Sequence, residues 1–202
     1  GPLIGRLDLE RLRTAARTVF SGRNPTLDLP VDERHYAGLR GQRQMYSEWL
    51  RTGIATTLLL LSALHEQIGI SVSGVDPERF VDEIVAGLPD LSNDYRTISS
   101  LFGELPLLME ASPRPLMAAL ERLLEGDGNG ARGFFQDQED TLFGSSSPHT
   151  AVLWALEMLA WDPAYISRTC LILAKLARID PGGKLANRPI NSLREILLPW
   201  HP

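Results

Sequence analysis

Only one cysteine, Cys170, occurs in the 202 residues, so the chain cannot close an internal disulfide. Nothing therefore points to an oxidising compartment, and a cytoplasmic location is the default expectation. Cys170 sits in the apolar run Thr169-Cys170-Leu171-Ile172-Leu173, where a thiol serves as a small packed hydrophobe. Histidine is scarce as well. His35, His65, His149 and His201 are far apart and none has a partner at i+4, which leaves little basis for a zinc site. Positive charge is in deficit, with 20 Lys and Arg against 25 Asp and Glu, a net charge of -5 and a pI near 5.4. That balance works against a surface built to neutralise phosphates. The longest apolar stretch, residues 53–64, falls short of the ~20 residues a membrane span needs and reads as a buried helix.

Catalytic motifs are missing too. Gly182-Gly183-Lys184 lacks the earlier glycine and the hydroxyl residue of a phosphate loop, and it follows a helix where a strand is required. Asp127 and Asn129 lack the closing glutamate of a calcium loop. Ser145-Ser146-Ser147 has no flanking pattern of a nucleophile elbow, and Glu139-Asp140 reads as solvated surface. The expectation is a chain with no catalytic, cofactor-binding or metal-binding residues. It is not expected to be an enzyme.

What remains is a hydrophobic fraction of 44% and a charged fraction of 22%, ordinary for a folded globular chain. Apolar residues recur at helical spacing over residues 8–21 and most strongly over 47–67, where Ser47 caps a helix carrying Trp49, Leu50, Ile54, Leu58, Leu61 and Leu64. Residues 31–41 are weakly helical. Asp76-Pro77, Ser112-Pro113 and Asp162-Pro163 each set a capping oxygen before a proline suited to a first helical turn. These prolines lie 36 and 50 residues apart, and apolar helices over 95–110 and 149–160 precede the latter two. A helix pair recurring at this period predicts an all-α, HEAT- or armadillo-like stack of antiparallel helix pairs, with an irregular helical bundle as the alternative. No strand is expected. Residues 126–148 read as a flexible glycine-rich loop from which Phe134, Phe135, Leu142 and Phe143 fold back on the core. A turn at Asp180-Pro181-Gly182-Gly183 precedes a final helix starting at Ser192. Gly1-Pro2 matches a tag remnant, residues 3–202 form one domain, and both ends are those expected of a piece excised from a longer protein.

Two clusters are candidate interaction surfaces. Arg34, Arg40, Arg43 and Arg51 interleave with His35, Tyr36, Tyr46 and Trp49, a pattern able to contact protein or nucleic acid, or else core aromatics with snorkelling arginines. The second runs through Asn187, Arg188, Pro189, Asn191 and Ser192, where Asn187 and Arg188 could instead tie the loop to Asp180 or Glu157. Trp154, Trp161 and Trp200 are expected to fill gaps between helix pairs.

The stretch from Val152 through Trp154, Glu157 and Trp161, followed by Asp180-Pro181-Gly182-Gly183, Asn187-Arg188-Pro189 and Ser192-Leu193, resembles the helical C-terminal regions of large bacterial STAND-class NTPases and related antiphage-defence proteins. Residues 47–55 and 105–113 match the same pattern. The resemblance implies a bacterial sensor or scaffold piece, separate from the effector and nucleotide-switch domains, whose ligand is a protein. No membrane partner is expected. The alternatives are a nucleic-acid-binding module using residues 34–51, or a structural oligomerisation arm. Nucleic-acid binding predicts salt-dependent retention on DNA or RNA that is lost on changing Arg40, Arg43 and Arg51 to glutamate, checked by a low-salt mobility assay.

Overall fold

The computed structural model describes residues 4–70, 74–136, 139–141, 144–183, 185 and 187–198. Ten α-helices dominate it: α1 (Arg6–Phe20), α2 (Glu48–Ala63), α3 (Pro77–Ala86), α4 (Tyr95–Ser99), α5 (Leu105–Ala111), α6 (Pro113–Leu123), α7 (Gly133–Gln136), α8 (His149–Leu159), α9 (Ile166–Ile179) and α10 (Pro189–Ile196). Short 3-10 turns occupy Pro25–Asp28, Val31–Tyr36 and Asn129–Ala131. The class is all-α, qualified by one small antiparallel ribbon of β1 (Glu139–Thr141) and β2 (Gly144–Ser146), where no strand is expected from the sequence. Three-residue strands are too short to show the alternation by which a strand is read.

The helices begin where local chemistry favours it. Ser47 Oγ accepts the Leu50 N–H at 3.3 Å and opens α2, and Asp76 accepts the Arg79 N–H at 3.2 Å with Pro77 in the first turn of α3. The other two capping pairs behave differently. Ser112 donates to Asp82 Oδ1 at 2.6 Å, bonding α3 instead of capping its own helix. Asp162 accepts from Ala164 N–H at 2.8 Å, closing a turn after which α9 starts at Ile166. The last helix starts at Pro189, so Ser192 lies buried inside it and does not cap it.

Helix α2 packs with α3, α5 with α6, and α8 with α9. Across the pairs, α5 contacts both α2 and α8, while α6 contacts both α3 and α9. The buried faces follow helical spacing: Ile54, Leu58 and Leu61 on α2; Leu105, Leu108 and Met109 on α5; Leu116, Leu120 and Leu123 on α6; Ile172, Leu173 and Leu176 on α9. One continuous apolar cluster joins them. Helix α1 lies against α2 and α3, and α10 against α8 and α9. Between α6 and α9, Arg168 donates twice to Glu121, at 2.6 and 2.7 Å. These bonds hold the Glu121 carboxyl below the usual carboxylate range.

The first part of the 126–148 segment is packed, contrary to its composition. Phe134 and Phe135 are buried as expected, as is Ala131, and α7 sits against α4. Its glycines serve close approach. A Cβ on Gly133 would fall 2.1 Å from the Tyr95 ring, and one on Gly130 would fall 2.9 Å from the Leu123 carbonyl. Leu142 and Phe143 lie outside the described residues.

Arg51 sits in the middle of the N-terminal half. Its side chain is 4% exposed and pairs at 2.8 Å with Glu104, itself 3% exposed. It also donates to the carbonyls of Ser100 at 2.8 Å and Val19 at 3.2 Å, and stands 5.4 Å above the Phe20 ring. Changing Arg51 to alanine leaves the Glu104 carboxylate buried without a counter-ion, so unfolding stability falls by about 3–5 kcal/mol. Urea denaturation checks this, and a loss below about 1 kcal/mol, the worth of a solvent-exposed pair, would refute it.

Candidate functional site

Helix α8 is apolar almost all round, and only part of it meets the core. Leu153, Ala155, Leu156 and Leu159 are buried, whereas Trp154 and Met158, one turn apart on α8, and Trp161, in the turn just beyond its end, have half or more of their surface in solvent. The tryptophans therefore do not fill gaps between helix pairs as expected. They face outward because the inner face of α8 is already occupied by its smaller aliphatic residues. Trp200 lies outside the described residues.

Opposite this stripe lies α10. Between the two helices runs a groove of about 410 Å³, floored by the buried Leu153, Ser192 and Ile196. Trp154, Trp161 and Glu157 line one side, and Asn191 and Glu195, one turn apart on α10, line the other. Asn187 and Arg188 complete the lining from the loop before α10. Of the two acidic partners considered for Arg188, Asp180 takes the contact: its Oδ2 receives Nε and a terminal guanidinium nitrogen at 2.8 Å each. Asp180 is almost fully covered, and its Oδ1 accepts the Gly182 N–H at 2.9 Å. Gly182 and Gly183 have φ of +79° and +82°, a left-handed pair that a side chain would strain.

Beneath the loop lies His149, at the first turn of α8 and 2% exposed. Its Nε2 is 2.5 Å from the carbonyl oxygen of Asn187. A carbonyl only accepts, so Nε2 carries the proton and Nδ1 is left to accept the hydroxyl hydrogen of Ser147. The ring packs against Phe135 at 4.9 Å between centroids. Burial costs the charged imidazole most and pushes its pKa below the ordinary histidine value, while the Asn187 carbonyl and the charge of Asp180 pull the other way. Although Ser147 and His149 form a serine–histidine pair, both are buried and the second ring nitrogen meets an amide carbonyl. The pair braces the groove's rim.

The arginine-rich region is arranged otherwise than its sequence suggests. Arg34 is buried and donates to the carbonyls of Leu27 and Leu29 at 3.3 and 3.2 Å. Arg51 is the buried ion-pair member described above, so it is not part of a contact surface. Arg40 pairs with Glu33, Arg43 is exposed, and Tyr46 packs partly against the core beside Arg51 in a hollow of about 300 Å³. The side chain of His35 lies outside what is described. Trp49, expected on the apolar face of α2, is 89% exposed, and neighbouring Leu39 and Met45 are nearly as open. The six candidate residues thus separate: Asn187 and Arg188 share one groove, Tyr46 and Arg51 share the smaller hollow, and Arg40 and Arg43 line neither. Sequence reading missed Trp154, Trp161 and Glu195 as groove residues, whereas Asn191 belongs to the second candidate cluster. A helix apolar on every side is the available signal, since one helix rarely finds neighbours for all its faces.

Cys170 is half-buried against the core, and desolvation raises its thiol pKa. Among the described residues no group of three His, Cys, Asp or Glu is placed to hold a metal ion, and no helix is long and apolar enough to cross a membrane. Comparison with protein-family models, curated proteins and solved structures found no match to this chain.

Histidine 149 makes stability depend on pH. Its folded-state pKa is lowered, so the unfolded chain binds the proton more readily. The contribution is complete above about pH 6.5, the ordinary histidine value, and declines as pH drops below it. The urea midpoint should therefore fall between about pH 7.5 and about pH 5.5, either side of that value. His149→Gln should show a shallower fall, and equal slopes would contradict this account.

Proposed function

We propose that this chain is a non-catalytic protein-interaction module, a HEAT- or armadillo-like stack of helix pairs that docks a segment of another protein in the α8–α10 groove. The observation that carries the reading is the pair of half-exposed tryptophans, Trp154 and Trp161, beside a row of amides and a braced guanidinium. Tryptophan and arginine dominate the energetics of protein interfaces because they offer large contact area with a polar handle. The stacking of α2, α5 and α8 on one side and α3, α6 and α9 on the other supports the repeat architecture, since in such stacks each pair covers its neighbour's apolar face. Trp154, Glu157, Trp161, Asn187 and Arg188 belong to the stretch that resembles the C-terminal regions of STAND-class antiphage NTPases. On that resemblance the module is a cytoplasmic sensing arm or scaffold of such a protein.

The nucleic-acid reading loses support. Arg34 and Arg51 are spent on internal carbonyls and a buried carboxylate, and Arg40 on Glu33. Replacing Arg51 with glutamate would disrupt folding, so loss of retention in such a variant says nothing of phosphate contacts.

Panning a random peptide library against the protein tests the docking role. Selected peptides should bind with micromolar affinity and weaken by roughly tenfold or more when Trp154 and Trp161 are both changed to alanine, the scale of a truncated interface anchor. Failure to select any peptide, or peptides indifferent to both changes, would remove the reading.

A further inference from the structure

We infer that the segment taken by the α8–α10 groove is cationic and extended, presenting lysine or arginine to Trp154 and Trp161; this rests on the docking role proposed above. The argument begins with the charges lining the groove. Among the described residues three ionisable side chains line it: Glu157, Arg188 and Glu195. Arg188 is committed to Asp180 through two nitrogens at 2.8 Å, so its charge is matched before a ligand arrives. Glu157 and Glu195 make no ion pair with any described residue. Arg194 is exposed on α10 beside Glu195 but does not line the groove. Among the described residues, the charge left uncompensated along the groove is therefore negative.

Its other surfaces suit the same ligand. An indole face attracts a cation through its quadrupole, more strongly for tryptophan than for other rings, and arginine adds planar stacking. Trp154 and Trp161 are 50% and 58% exposed, leaving area for such contact. The amides of Asn187 and Asn191 each offer donors and an acceptor, which match the N–H and C=O groups that an extended backbone leaves unpaired. A groove of about 410 Å³ admits a few side chains of one strand and not a folded domain. An acidic segment would set like charges against Glu157 and Glu195, and nucleic acid would do the same with phosphates.

Three short synthetic peptides of one glycine–serine framework, bearing arginine and lysine, glutamine, or glutamate at the same positions, test this by calorimetry and tryptophan fluorescence. The cationic peptide should bind the native protein roughly tenfold tighter than the glutamine peptide at low salt, as two charge contacts together with indole stacking allow. The gap should narrow as salt is raised. In the double variant Glu157→Gln, Glu195→Gln the ratio of cationic-peptide to glutamine-peptide affinity should fall to about one, with thermal unfolding as the check that the variant folds. If that variant does not fold, the salt dependence of the native protein decides. Equal affinities, a preference for the acidic peptide, or panned groove ligands without lysine or arginine enrichment would overturn the inference and leave docking intact. Absence of any groove-binding peptide would remove both.

Discussion

A positive charge held inside the N-terminal half ties together segments that lie far apart in the sequence. Arg51 reaches from α2 to the last turn of α1, to the carbonyl of Ser100 and to Glu104 at the start of α5. A buried ion pair seldom exceeds well-packed hydrophobes in net stabilisation, but a half-broken one is costly, so the arrangement penalises every alternative placement of these segments. Helix α5 needs that discipline. At seven residues it is too short to be stable alone, yet it carries contacts to α2, α3, α6 and α8. Its start is held by Arg51, its end by the bond from Ser62 to the Ala111 carbonyl, and the next residue, Ser112, by Asp82. This short helix is fixed by polar clamps at both ends and by Leu105, Leu108 and Met109 between them.

The helices themselves were largely legible. Strong 3.6-residue periodicity located α1, α2, α3, α6 and α9, because each buries an aliphatic stripe and the stripe is a local property of the sequence, while α8 was read from an apolar run alone. Boundaries were less so: the run over 95–110 is two helices separated by a turn at residues 100–104, and Ser192 proved internal to α10. Glycine misled most. In the 126–136 stretch it reads as looseness, whereas Gly130 and Gly133 are glycine because Leu123 and Tyr95 leave no room for a Cβ. Which of glycine's two uses applies depends on a neighbour far away in sequence.

The candidate site divides along the same line. That Arg188 meets Asp180 could be anticipated, since they lie eight positions apart across a glycine turn. That Arg51 is interior and Trp154 exterior could not, because both sit in helices whose apolar residues extend around more than one face. Arginine among aromatics looks the same in sequence whether it lies on the surface or beneath it. Burial is settled by which helix occupies which side, and that information belongs to the packing of the rows.

The brace under the groove has one further implication. Asp180, just after α9, holds Arg188 and the Gly182 N–H, and His149, at the start of α8, holds the Asn187 carbonyl. An arriving chain would meet donors and acceptors already set, so the entropic cost of arranging them is borne during folding and not at encounter. On the proposed docking role, the grip would depend also on Asp180, Gly182 and His149, which do not line the groove: a nick in the backbone near Pro181 would slacken it while leaving every lining side chain chemically intact.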